Sequence, residues 1–146
     1  MLSPAITPPN LHLTPYRGEL WLEETTTRQL VKVGNKHLVA LGIWTAQLRG
    51  LPHYVEAVEA ADLRPGTPVR LVREPSNGFD TNAIAATSDV GVLGYVNKQM
   101  AARLAPLMDS GTKFEAVSLA GDGPGKAESR VHVLAAEPGL LRHLKR

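Results

Sequence analysis

Short runs of apolar and β-branched residues alternate with turn-forming residues along most of the chain. From residue 18 onwards the pattern is extended and predicts a β-meander built from the runs GELWLEE, QLVKV and HLVALGIW, with a turn at Gly34 and Asn35. The run WTAQLRGL predicts another strand, which must stop or bend at Gly50, just before Pro52. The first half of the chain therefore indicates a β-rich fold.

Further strands are predicted in the second half, at residues 69–73, 83–87, 90–96, 114–120 and 130–136. The first two flank the cluster PSNGFDTN, and the last two flank the connection GDGPGKAES, both of which are dense in residues that form turns. We therefore expect an exposed loop at each cluster.

Two helices are predicted among these strands. Tyr54, Val58 and Ala61 recur at intervals of four and three residues, which places them on one face of the first helix. Asn97 is a capping residue for the second helix, in which Pro106 predicts a kink or an early end. The apolar face expected for this second helix consists of Met100, Leu104, Leu107 and Met108.

These elements predict a fold that is mainly β with one or two short helices, arranged as a small, partly open β-barrel of the OB-like or SH3-like kind. Proline has no backbone N–H, so the prolines near the start of the chain cannot donate the hydrogen bonds that hold helices and sheets together. We expect four segments: a flexible, Pro-rich segment at 1–17, a β-meander extension packed on the domain at 18–43, the domain itself at 44–136, and a basic tail or short helix at 137–146.

Composition narrows the classes of protein that fit this fold. Among 146 residues, 16 are Lys or Arg and 14 are Asp or Glu, so the net charge of +2 is compatible only with a local nucleic-acid-binding patch. The absence of cysteine excludes disulfides, thiolate metal sites and cysteine nucleophiles. No apolar run approaches the roughly 20 residues of a membrane span, and the first residues lack the layout of a signal peptide, so we expect a cytoplasmic protein.

A longer motif covers the turn cluster between the first two of the later strands. Residues 73–84 follow the pattern R-E-P-x-N-x-F-D-x-N-A-I, which closely resembles the central signature of HIRAN domains. The flanks also resemble the family: Gly50 and Tyr54 with the approach LRPGTPVRLVREP upstream, and VLGYVNKQMAARLAPLMDSG downstream. The resemblance extends over about residues 46–117, and a motif of this length with ordered flanks is specific.

The resemblance implies a function as well as a fold. HIRAN domains occur beside helicases and nucleases and, in bacteria, as small standalone proteins, which this chain resembles. The best understood members have an OB-like fold and bind single-stranded DNA with a free 3′ end while stalled replication forks are remodelled. The resemblance therefore implies a non-enzymatic, cofactor-free module that captures such an end in DNA repair, fork processing, mobile-element or defence contexts, with RNA as an alternative ligand and a helicase or nuclease as partner.

The tip of the loop carries the residues expected to contact the end of the strand. Asp80 is an acceptor suited to a terminal 3′-hydroxyl, which an internal nucleotide lacks; alternatively it bonds backbone amides and only shapes the turn. By resemblance, Phe79 stacks on terminal nucleotides, and the alternative is that it packs in the core. Asn77 contacts the terminal base or sugar, or is an ordinary turn residue. Arg73 either pairs with Glu74 or steers phosphate.

Cationic and aromatic residues outside the loop are expected to complete the binding surface. By resemblance, Lys98 matches a phosphate-contacting lysine at the start of a helix, where the helix N-terminus also favours anions. His53 and Tyr54 stand where animal members have the last two residues of an Arg-Tyr-Tyr run; the alternatives are solvent exposure for His53 and core packing for Tyr54. Arg49 and Arg103 either extend the patch or are solvated surface.

Two functions of other classes compete with this interpretation. The chain could instead be a protein-interaction subunit that docks a helicase or nuclease through its N-terminal meander or basic tail. A metal-dependent nuclease or phosphodiesterase would need convergent carboxylates, but the acidic residues nearest to Asp80, Glu74 and Asp89, are predicted on different strand ends. No His-x-x-x-His pattern and no Walker-type loop are present. We therefore expect no enzymatic activity and no metal site.

Overall fold

The computed structural model describes residues 8–33, 36–125 and 130–146. Its strands are β1 (Leu11–Tyr16), β2 (Glu19–Glu24), β3 (Leu30–Val31), β4 (Trp44–Gln47), β5 (Pro68–Arg73), β6 (Ile84–Ser88), β7 (Gly91–Tyr95), β8 (Glu115–Ala120) and β9 (His132–Ala136). Its helices are α1 (Lys36–Ala40), α2 (Val55–Ala60), α3 (Lys98–Asp109) and α4 (Pro138–Leu144), with a 3₁₀ turn at Leu51–Tyr54 before α2.

A six-stranded antiparallel sheet in the order β4-β9-β8-β5-β6-β7 forms a strongly curled half-barrel. Two register shifts, between Ala86 and Thr87 in β6 and between Ser118 and Ala120 in β8, add the local twist that curling requires. The predicted class, mainly β with a partly open barrel, is confirmed. Helices are more numerous than the one or two predicted, since the described residues contain four α-helices.

The two edges of this sheet meet at a seam. Just after β4, Arg49 exchanges backbone hydrogen bonds with Tyr95 of β7, each 2.8 Å between nitrogen and oxygen. Gly94 permits this approach because a Cβ at that position would lie 2.5 Å from the Arg49 carbonyl oxygen. The 3₁₀ turn and α2 pack against β7 next to the seam. The seam therefore brings the segment after β4 beside the residues that open α3.

Helix α3 covers the concave core of the half-barrel. It buries Ala101, Leu104 and Ala105, whereas Leu107, predicted on the apolar face, is 40% exposed. These three residues define the buried face, and Leu107 lies roughly 110° around the helix from the centre of that face. The early end predicted at Pro106 is also wrong, because the proline lies on the exposed side of the helix, which continues to Asp109.

A second, three-stranded sheet, β1-β2-β3, covers the outside of the half-barrel together with α1 and α4. Leu22 from β2 packs there with Leu134 from β9 and Leu144 from α4, all fully buried. Strand β1 lies within residues 1–17, where we predicted flexibility, and that interpretation is wrong for residues 11–16. Pro15 lies in β1 opposite Leu20. Because β1 is an edge strand, the missing N–H of the proline does not interrupt the hydrogen bonds between inner strands. Residues 1–7 lie outside the described part of the chain.

The run HLVALGIW is not the strand that we predicted, because residues 36–40 form α1. The turn that follows the helix contains Gly42, which has a φ of +85° and donates to the Val39 carbonyl, while Ile43 donates to the Leu38 carbonyl. This arrangement is a Schellman motif, and Gly42 is the sequence feature that predicts it. The turn predicted at residues 34 and 35 lies outside the described residues. No helix in the described part of the chain combines the length and apolar content needed to cross a membrane.

Candidate nucleic-acid interface

An open cleft of about 840 Å³ lies where the seam, the loop between β5 and β6 and the start of α3 meet. We call residues 74–83 the tip loop. The cleft is lined by Arg49, Tyr54, Asn77, Phe79, Asp80, Ala83, Tyr95, Val96, Asn97, Lys98 and Gln99. Five of the seven residues predicted to bind nucleic acid are therefore in one cleft: Asn77, Phe79, Asp80, Lys98 and Tyr54.

Backbone and side-chain hydrogen bonds fix the shape of the tip loop. At its base, the Glu74 amide donates to the Ala83 carbonyl over 2.9 Å, which extends the pairing of β5 with β6. The Asn77 amide donates to the Glu74 carbonyl over 3.0 Å, and the Ala83 amide donates to the Asp80 carbonyl over the same distance. The loop that the turn residues predicted is therefore an ordered, exposed projection between two strands.

Phe79 projects from the tip loop into solvent with 98% of its surface exposed. The alternative in which its ring packs in the core is therefore wrong. Exposure of a whole phenyl ring is unfavourable for a free protein, since burying such a side chain is worth about 1.5–3 kcal/mol. A flat apolar ring at the edge of a polar cleft provides a stacking surface for a base.

Asp80 is half-buried, and one of its carboxylate oxygens has a structural contact. Oδ1 accepts a hydrogen bond of 2.9 Å from the Asn82 amide, as in an ordinary Asx turn. Within the described part of the chain, Oδ2 makes no hydrogen bond. The turn-forming role is therefore present, and it leaves one oxygen as an acceptor for a ligand.

Asn77 is used mainly inside the loop. Its Oδ1 accepts hydrogen bonds from the amides of Phe79 and Asp80, at 2.9 and 3.2 Å, and its Nδ2 donates to Glu74 Oε1 over 3.0 Å. One Nδ2 hydrogen is left for an outside acceptor. The turn-residue alternative is therefore realised in the structure, and direct contact of Asn77 with a ligand stays a prediction.

The N-terminus of α3 provides the cationic side of the cleft. Asn97 caps this helix as predicted, since its side chain accepts from the Met100 amide over 2.9 Å. Lys98, the first residue of α3, is exposed and lines the cleft beside Gln99. The positive end of the helix dipole and the Lys98 ammonium group both favour an anion there.

Two half-buried tyrosines form the wall of the cleft. The ring centroids of Tyr54 and Tyr95 lie 6.0 Å apart at an interplanar angle of 49°. Tyr54 also packs against the main core, so the core-packing alternative is present in the structure, and its contact with nucleic acid stays a prediction. Burial, together with the neighbouring Tyr54 hydroxyl and Glu74 carboxylate, raises the pKa of Tyr95 well above its ordinary value. Tyr95 therefore stays a neutral phenol and a hydrogen-bond donor.

His53 lies outside the cleft. It is exposed in a neighbouring groove, which Tyr54 also lines. The physical reason is the 3₁₀ turn, in which successive side chains point about 120° apart, so that adjacent residues face different surfaces. The structure thus separates His53 from the group with which it was predicted.

Arg73 also does not line the cleft, and its predicted pairing with Glu74 is wrong. Its guanidinium makes a bidentate ion pair with Asp109 at 2.9 and 3.0 Å, and donates to the carbonyls of Thr81 and Ala83. The carboxylate of Asp109 raises the pKa of Arg73, and Arg73 in turn lowers the pKa of Asp109. Arg73 therefore braces the tip loop against the end of α3.

Arg49 and Tyr95 line the cleft because both lie at the seam. The sequence marks Arg49 only as one of several arginines, and we did not predict Tyr95 in the site. Arg103 does not line the cleft, and its guanidinium lies 5.4 Å from the ring centroid of Trp44. Among the described residues, no group of three or more His, Asp or Glu side chains is arranged to hold a metal ion.

Comparison with known proteins identifies one matching family and several similar solved structures. The family model described as the HIRAN domain matches residues 45–132. The crystal structure of a protein from Lactobacillus plantarum is similar with a TM-score of 0.52 and 27% identity, over 64% of this chain and 91% of that chain. The crystal structure of the HIRAN domain of human HLTF is similar with a TM-score of 0.47 and 23% identity, over 70% and 83% of the two chains.

A solution structure of the human HLTF HIRAN domain in its DNA-bound conformation is also similar, with a TM-score of 0.47 and 24% identity, over 70% of this chain and 82% of that chain. No curated protein matches the sequence.

Proposed function

Because this chain belongs to the HIRAN domain family, we propose that it is a non-catalytic module that holds the 3′ end of a single DNA strand. The observation that carries the proposal is the 98% exposure of Phe79 at the edge of a cleft that also contains a carboxylate and two cations. A terminal base stacked on Phe79 would cover apolar surface that the free protein leaves in water.

The cleft offers a complementary group for each part of a strand end. Phe79 and Tyr54 provide ring surfaces for bases, and Lys98 and Arg49 provide positive charge for the phosphate backbone. The free Oδ2 of Asp80 accepts from a terminal 3′-hydroxyl. A 3′-phosphate would instead bring negative charge to this carboxylate, so the same residue disfavours a blocked end.

The cellular setting forms part of the proposal. The HLTF neighbour is described in a DNA-bound conformation. The family resemblance supports a role in DNA repair or fork processing, and the cytoplasm is the location that we propose. Two cations line the cleft among the residues that the structure describes, so affinity is expected to be modest, and a helicase or nuclease partner would increase it through effective concentration.

Fluorescence anisotropy with three versions of one labelled oligonucleotide tests the proposal. We expect the strongest binding with a free 3′-hydroxyl. Binding should be at least tenfold weaker with a 3′-phosphate, because one hydrogen bond to a charged group is worth about 1.5–3 kcal/mol and about 1.4 kcal/mol corresponds to tenfold. A version whose 3′ end is hidden in a hairpin stem, with only the 5′ end single-stranded, should bind equally weakly. Equal affinity for all three would overturn end capture, and shortening of the oligonucleotide during incubation would overturn the non-catalytic role.

A further inference from the structure

A chain of side-chain hydrogen bonds connects the barrel seam to the tip of the loop. Tyr95, held at the seam by its backbone bonds to Arg49, donates its hydroxyl to Glu74 Oε1 over 2.8 Å. The same oxygen accepts from Asn77 Nδ2 over 3.0 Å. Asn77 Oδ1 then accepts from the amides of Phe79 and Asp80. Every contact in this relay has a donor matched to an acceptor.

The carboxylate in the middle of the relay determines the orientation of the Asn77 amide. A carboxylate only accepts, so it selects the amide orientation in which Nδ2 faces Glu74 and Oδ1 faces the loop tip. If that amide turned over, Nδ2 would face the amides of Phe79 and Asp80, and donor would oppose donor. Tyr95 in turn holds Glu74, because its phenol remains protonated and donates.

The tip of the loop depends on these hydrogen bonds because the Phe79 ring does not hold it in place by packing. With 98% of its surface exposed, its ring makes no packing contact that could fix the backbone around it. Ordering a loop when a ligand binds costs free energy, and a loop that is already ordered binds more tightly for the same contacts. Preorganisation therefore has to come from the hydrogen bonds that the loop backbone accepts and donates.

We infer that Glu74 and Tyr95 are positioning residues, which hold Phe79 and Asp80 in their binding geometry through Asn77. That the relay aids strand binding rests on the proposed function, whereas its ordering of the tip loop does not. The Tyr95 hydroxyl and the Glu74 carboxylate can do this without contacting the DNA strand. The seam that closes the barrel thus also determines the shape of the tip loop.

Loop order in the free protein is the first test. We expect the backbone ¹⁵N order parameters of Phe79 and Asp80 to fall from about 0.85 to below about 0.6 in Tyr95→Phe and in Glu74→Ala. Glu74→Gln keeps a carbonyl oxygen for both donors and should preserve the order. Tyr16→Phe, an exposed tyrosine of β1, is the matched control. Unchanged order parameters in both Tyr95→Phe and Glu74→Ala would overturn the inference.

Binding of an oligonucleotide with a free 3′-hydroxyl is the second test. Tyr95→Phe should weaken it by about fivefold, which corresponds to about 1 kcal/mol for one hydrogen bond, while the melting temperature stays close to that of the unchanged protein. A melting temperature that falls while loop order is retained would show a merely structural role and overturn the inference. If the loop loses order but the unchanged protein binds no oligonucleotide, the relay stands and the proposed function fails.

Discussion

Phe79 allows binding and stability to be separated by a single substitution. Phe79→Ala should weaken binding by about 5- to 150-fold, because base stacking on an aromatic side chain is worth about 1–3 kcal/mol. The melting temperature should not fall, since 98% of the residue's surface is exposed. Phe79→Tyr keeps the ring and should bind like the unchanged protein. Anisotropy titration and thermal unfolding check both expectations, and full affinity in the alanine variant would contradict the stacking role.

Asp80 has a structural oxygen and an unused oxygen, and a conservative substitution distinguishes them. Asp80→Asn keeps an Oδ1 that accepts from the Asn82 amide, but replaces Oδ2 with an amino group that cannot accept. We expect the preference for a 3′-hydroxyl over a 3′-phosphate to shrink by about tenfold, with unchanged stability, as one charge-assisted hydrogen bond is lost. Competition between the two oligonucleotides measures this ratio. A ratio equal to that of the unchanged protein would assign Asp80 to turn formation alone.

The sequence predicts some residues of the candidate site and not others, and their positions in the chain explain the difference. Asn77, Phe79 and Asp80 are neighbours in one loop, so their proximity follows from chain order alone. Tyr95 joins them only because the sheet curls until its edges meet, and no local pattern marks that long-range contact. His53 fails for the opposite reason: it is adjacent to Tyr54 in sequence, yet the 3₁₀ turn points it into another groove.

At the scale of elements, the seam between β7 and the segment after β4 depends on one glycine. A methyl group in Gly94→Ala would lie 2.5 Å from the Arg49 carbonyl, too close for the seam bonds to survive unchanged. We expect a loss of about 1–3 kcal/mol in unfolding free energy, as for other overpacked sites, measured by urea denaturation. Gly78→Ala is the control, since no atom lies within 4 Å of its added methyl. Equal stability of the two variants would show that the seam is not under steric constraint.

Strand and helix prediction succeeded where the pattern is local and failed where packing decides. The strands around the tip loop and the Asn97 cap follow from alternation and capping chemistry. The run at residues 36–40 is apolar enough for either a strand or a helix, and only burial of Leu38 against the outer sheet and the Gly42 end favour the helix. Periodicity does not resolve such short apolar runs.

For the whole molecule, the outer sheet is expected to be part of the folded unit, although the family match begins only at residue 45. Leu22 of β2 is fully buried against β8 and β9, so Leu22→Ala should cost about 2–5 kcal/mol in unfolding free energy. Leu30→Ala in β3 of the same sheet is the matched control, because Leu30 is 37% exposed. Urea denaturation compares the two. A cost below about 1 kcal/mol for Leu22→Ala would indicate a sheet that contributes little to stability.

The charge of the whole molecule predicts how binding responds to salt. A net charge of +2 gives no general attraction for nucleic acid, so the salt dependence must come from cations placed in the cleft. Arg49 and Lys98 are the cations there, and each phosphate contact on a single strand contributes about 0.7 to the slope of log affinity against log salt.

Lys98→Ala should therefore reduce the magnitude of that slope by about 0.7 and weaken binding to all single strands alike, whatever their 3′ end. Lys145→Ala, an exposed lysine of the last turn that does not line the cleft, is the control and should leave the slope unchanged. Titrations over a series of salt concentrations measure both slopes. If the control reduces the slope as much as Lys98→Ala does, the strand is attracted by the overall surface and the cleft is not its path.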